Sequence, residues 1–136
     1  MKAIGRILAL VATLASCALT STTAHASESA TQADCYTTYN IYDPTKVGYM
    51  DWNADPNSCY SNGDAFRVCD TKADGWGVAV TTIDAGIREA TTAGHSSPYC
   101  SPWVTGNITE GKEIEFNAYL VKGSSSVHLG SITVTA

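Results

Sequence analysis

Positive charge is scarce in this chain: eight Lys and Arg stand against thirteen Asp and Glu in 136 residues. No basic run exists to neutralise consecutive phosphates, which argues against nucleic acid and against an anionic membrane surface as partners. Signatures of metal and nucleophile chemistry are missing too, with no CxxC, HExxH or GxSxG. Helical periodicity is nearly absent, and Asp84–Thr92 could make two turns at most. Past Ala15 no apolar run is long enough to insert in a bilayer. Phenylalanine is rare, two residues against seven tyrosines and three tryptophans. The aromatic set is therefore one of polar-tipped rings, suited to half-wet surfaces.

The N-terminus is the most informative stretch that is present. Lys2 and Arg6 flank an apolar run from Ile7 to Ala15, and polar Thr20–Thr23 leads to Ala24-His25-Ala26. Residues 1–26 thus have the layout of a secretory signal peptide with a small-x-small cleavage site. Leu14-Ala15-Ser16-Cys17 also fits a lipobox, so the alternative to a diffusible secreted protein is one lipid-anchored to the cell envelope through Cys17. Both readings place the chemistry in an oxidising, extracellular compartment. Removing 26 residues from 136 leaves 110, the size of one domain. Six basic and all thirteen acidic residues remain, a formal charge of −7. Residues 27–34 are small and polar and read as a disordered lead-in, leaving 35–136 as the single folded domain.

Four cysteines stay with that domain: Cys35, Cys59, Cys69 and Cys100. An even number in an exported chain implies two disulfides, for which three connectivities exist. Cys35–Cys59 with Cys69–Cys100 is favoured because it closes two successive loops of moderate length. The rest of the domain reads as short strands. Ile114, Phe116, Ala118 and Leu120 alternate with Glu113, Glu115, Asn117 and Tyr119, and Gly123–Ser126 turns the chain into the β-branched run Val127–Val134. Phe66 and Val68, then the turn Ala73-Asp74-Gly75, then Trp76, Val78 and Val80 predict a second hairpin. Tyr36–Tyr42, Val47–Trp52 and Gly86–Thr91 are further strand candidates, with Trp52 and Trp76 expected in the core. Six to eight short strands at this spacing predict an all-β antiparallel sandwich, with a small closed barrel as the alternative.

The run Gly63-Asp64-Ala65-Phe66-Arg67-Val68-Cys69-Asp70-Thr71-Lys72-Ala73-Asp74-Gly75-Trp76-Gly77-Val78 resembles a motif recurring in small secreted actinobacterial β-rich proteins. The similarity extends loosely over most of residues 47–122. It implies export and an all-β fold. Those proteins are uncharacterised, so the resemblance carries no site onto this chain.

Candidate sites come from the residues themselves. Asp51, Asp55, Asp64, Asp70 and Asp74 fall within 24 residues, and Asp70 and Asp74 are the candidates for a calcium ion, although aspartates at turns also satisfy backbone amides. Lys72 occupies what would be the second ligand position of an EF-hand. Tyr36, Tyr42, Tyr49, Tyr60 and Trp103 are candidates for an aromatic platform. The segment Thr91–Asn107 holds Gly94, Pro98 and Pro102 and is tethered by Cys100, so it is read as an irregular loop presenting Tyr99 and Trp103. His95 and His128 stand without a recognisable catalytic partner, and Glu113 and Glu115 share a solvated strand face. The expected function is non-catalytic binding of an extracellular protein or glycan, through exposed aromatics and the Cys100 loop. Inhibition of a secreted protease by that loop is the alternative.

Overall fold

The computed structural model describes residues 35–84 and 86–136, so the signal-peptide, lipobox and lead-in readings lie outside the described residues. Among the described residues nine strands form: β1 (Thr37–Asp43), β2 (Thr45–Asn53), β3 (Ala65–Asp70), β4 (Gly77–Thr82), β5 (Arg88–Thr91), β6 (Tyr99–Cys100), β7 (Val104–Thr105), β8 (Glu113–Lys122) and β9 (Ser125–Thr135). One sheet runs β1-β2-β3-β6, with β7 also pairing β3; the other runs β5-β4-β8-β9. All pairings are antiparallel. The two sheets form an open sandwich and do not close into a barrel. The extra strands relative to expectation are β6 and β7, each of two residues, inside the segment read as irregular. No helix of the described residues is long and apolar enough to cross a membrane.

Period-two patterning explains the core. Ile114, Phe116, Ala118 and Leu120 of β8 are all buried, while Glu113 and Glu115 are exposed. Facing them across the sandwich are Met50, Trp52, Phe66 and Val68. Phe116 lies at the centre, its ring 4.7 Å from Phe66 and 5.6 Å from Trp52. The Trp52 indole N–H donates to the Thr135 carbonyl at 3.1 Å, satisfying the one polar atom of that ring and tying one sheet to the other. Trp76 is half-buried against the rim of the core.

The hairpin expected around Asp74-Gly75 is not formed. β3 already has β2 on one side and β6 and β7 on the other, so no edge is open to β4. The turn instead carries the chain from one sheet to the other. Gly48 is required in β2: a Cβ there would run into the Cys69 carbonyl oxygen of neighbouring β3 and lie 3.2 Å from a Val78 methyl of the other sheet. Gly48→Ala should cost about 2 kcal/mol through overpacking, measured as a lower urea midpoint at unchanged slope.

Both disulfides join the favoured partners, Cys35–Cys59 and Cys69–Cys100. The second links residues directly opposite each other on β3 and β6. The first ties the start of β1 to the loop between β2 and β3.

Candidate functional site

Three of the aromatic candidates come together on the outer side of the β1-β2-β3-β6 sheet. Tyr36 and Tyr60 each follow a half-cystine directly, so the Cys35–Cys59 bond delivers both rings to one place. Asn57 fixes the intervening loop: its side-chain oxygen accepts the Cys59 and Tyr60 amides at 2.9 and 3.1 Å, and its amide donates to the Cys35 carbonyl. Trp103 arrives from the opposite direction, in the link between β6 and β7, which are held by their pairing with β3. Tyr60 stacks on Trp103 at 4.7 Å and 21°, and Tyr36 meets it edge-on at 5.6 Å.

A cation completes the cluster. The Arg67 guanidinium lies 4.8 Å from the Trp103 ring centre and 5.4 Å from that of Tyr36. Its Nη2 donates to the Tyr36 hydroxyl at 3.3 Å and its Nε to Asp51 at 2.9 Å. Asp51 is 1% exposed and also accepts the Thr38 hydroxyl at 2.7 Å. Sheet register dictates this arrangement, since Thr38, Asp51 and Arg67 are direct cross-strand neighbours on β1, β2 and β3. Together they form a charge-compensated base under three half-buried rings. Arg67 and Asn57 were not among the residues expected at a site, and Asp51 was considered only within the aspartate cluster, not as the partner of an arginine. The signal available was opposite charge on two neighbouring strand candidates, which is informative only once their register is known.

The remaining candidates go elsewhere. Tyr99 stacks on His95, with ring centres 3.8 Å apart and planes within 8°. Tyr42 is 57% exposed at the far end of β1, beside a hollow of about 210 Å³ between β1 and β9. Tyr49 lies next to the second disulfide, its hydroxyl 3.7 Å from Cys100 Sγ. Of the platform candidates Tyr36, Tyr42, Tyr49, Tyr60 and Trp103, the structure brings together Tyr36, Tyr60 and Trp103. Strand length keeps Tyr42 apart, because it stands six residues along β1 from Tyr36, roughly 20 Å of extended chain.

Asp70 and Asp74, the calcium candidates, both accept backbone amides. Asp70 Oδ1 takes the Lys72 N–H at 2.9 Å, and Asp74 Oδ1 takes the Trp76 N–H at 3.0 Å. The Trp76 amide, with the Lys72 ammonium 3.2 Å away, holds the Asp74 carboxyl below its ordinary range. Among the described residues no three His, Cys, Asp or Glu side chains converge as a metal site would require. His128 Nε2 lies 3.2 Å from Asn117 Oδ1, and the Ser131 hydroxyl donates to that same oxygen at 3.0 Å rather than to the imidazole. All three sit on an open strand face.

Two features had no counterpart in the expectations. Arg88 is buried beneath Phe66, its Nη2 donating to the Asp64 and Val104 carbonyls, and burial pushes its pKa down. Ile83 and Ile87, at the tip between β4 and β5, are 85% and 89% exposed. Searches against protein-family models, curated proteins and solved structures found no match for this chain.

Proposed function

We propose that this is an exported, non-catalytic binding domain that recognises an extracellular protein through the cluster of Tyr36, Tyr60, Trp103 and Arg67. The observation that carries this reading is the assembly of Trp, Tyr and Arg side chains on a surface fixed by a disulfide and a paired loop. These are the residue types that concentrate binding energy at protein interfaces. Their pre-organisation lowers the ordering cost of association. A protein partner suits the cluster better than a sugar ring, because the Trp103 ring is already engaged by Tyr60 and Arg67. What the cluster offers is ring edges, a guanidinium and tyrosine hydroxyls.

The test is retention of extracellular proteins of the source organism on immobilised wild type and on Trp103→Ala, with circular dichroism as the fold check. Wild type should retain a partner whose affinity falls about thirtyfold in the variant, equivalent to a hot spot of about 2 kcal/mol. An identical set of retained proteins at equal affinity would remove the cluster from the function. The protease-inhibitor reading draws on the Cys69–Cys100 bond, which anchors the loop carrying Tyr99 and Trp103. A retained protein that proves to be a protease and loses activity on binding would select it.

A further inference from the structure

A second place in the molecule has the make-up of a ligand site, away from the aromatic cluster and independent of its role. At one end of the sandwich the β3–β4 link, the turn after β5 and the β8–β9 hairpin enclose a cleft of about 440 Å³. That lies within the range of roughly 300–1,000 Å³ typical of small-molecule sites. One wall is the run Asp70–Gly77, whose path is set by Gly75 at φ +78°, a conformation other residues rarely adopt.

We propose that this cleft binds one pyranose ring of a saccharide. The two lysines of the cleft are offset by Asp70 in its lining and by Asp74 beside it. Lys72 is paired with Asp74 at 3.2 Å, while Lys122 shares the cleft with Asp70, whose residue is 2% exposed. Such a lining favours an uncharged ligand rich in hydroxyls over a phosphate or a polyanion. Sugar hydroxyls each donate and accept, and the cleft supplies both functions. Lys72 and Lys122 ammonium groups donate, and the Ser97 hydroxyl oxygen accepts. Ser97 is itself held by donating to the Asp70 carbonyl at 3.3 Å.

The apolar face of a pyranose needs an aromatic ring, and Trp76 lines the cleft while packing against the core. Lys122 Nζ lies 5.6 Å from the centre of that ring. An exposed cation–π contact of this kind is weak, so an incoming ring can displace the flexible lysine and then accept its hydrogen bond. His95, stacked on Tyr99, closes the opposite lip. Aromatic face, paired acid and amine, hydroxyl and balanced charge occur together nowhere else among the described cavities.

Titration of the isotope-labelled, disulfide-intact protein with methyl α-glucoside, methyl β-galactoside and N-acetylglucosamine, followed by two-dimensional NMR, tests the proposal. At least one of them should give saturable shifts confined to the Trp76 indole N–H and to amides of Lys72, Gly75, His95 and Lys122. Trp76→Ala should weaken that binding about tenfold or more. Because Trp76 also packs on the core, Lys122→Ala is the second variant; its side chain is exposed, and it should weaken binding severalfold while leaving the spectrum otherwise intact. Ile83→Ser, remote and exposed, should leave it unchanged. Absence of saturable shifts at the cleft for all three sugars overturns the proposal. So does equal binding of the acyclic polyol sorbitol, since ring recognition would then play no part.

Discussion

Reducing both disulfides should lower the melting temperature by tens of degrees. The bonds close segments of 24 and 31 residues, and each contributes on the order of 3 kcal/mol by restricting the unfolded chain. For a domain of about a hundred residues, a loss of roughly 6 kcal/mol is comparable to its whole stability and moves the midpoint by roughly 25–50 °C. The structure adds an order of events. Cys59 is exposed and Cys35 partly so, whereas Cys69 is 1% exposed. A thiol reductant without denaturant should therefore open Cys35–Cys59 first. That intermediate should keep its far-ultraviolet dichroism, because the bond lies at the entrance to β1 and outside the ladders. Its near-ultraviolet signal from Trp103 should weaken, because Tyr36 and Tyr60 are no longer held together. Alkylation and mass measurement against time would follow both steps. A midpoint change of only a few degrees on full reduction would show that the core holds the fold alone.

Arg67→Met is expected to cost about 3 kcal/mol, measured by urea denaturation. The substitution removes the guanidinium and leaves the Asp51 carboxylate 1% exposed with only the Thr38 hydroxyl as a side-chain donor. Breaking a buried pair from one side costs about 3–5 kcal/mol, and the lower figure applies because the Arg67 side chain is 25% exposed. Removing both charges tells the two contributions apart. Asp51→Asn with Arg67→Met should recover much of the loss, since the neutral pair leaves no uncompensated charge. Arg67→Lys should fall in between, keeping the charge but not the fork that reaches Asp51 and Tyr36 together. A single-variant loss under about 1 kcal/mol would mean that water reaches Asp51 and the pair is energetically a surface one.

The parts of the fold legible in the sequence were those written in local pattern. Alternation in Glu113–Leu120 gave β8 and its buried face, and the Gly123–Ser126 turn gave the last hairpin. Loop closure gave the cysteine pairing. What local pattern does not carry is which strand lies beside which. Phe66–Asp70 and Gly77–Thr82 look like two arms of a hairpin, yet whether they pair depends on β6 and β7, whose four residues sit among prolines and lack any strand signature. The site follows the same logic. Tyr36, Tyr60 and Trp103 were visible as polar-tipped aromatics, and the Cys35–Cys59 pairing was enough to join the first two. Trp103 joined them only through β7, and Asp51 met Arg67 only through register. Tyr42 and Tyr99 were equally plausible by type and lie elsewhere.

The ladder between β8 and β9 slips by one residue between Ala118 and Tyr119, at the position of Leu129 and Gly130. β9 is an outermost strand of eleven residues, rich in serine and threonine and largely exposed. A flat edge of that length offers its free amides and carbonyls as a template for another chain. The slip divides the edge into two shorter runs with a change of twist between them, so an incoming strand in register with one half is out of register with the other. The domain thereby carries in its own backbone a guard against templated self-association.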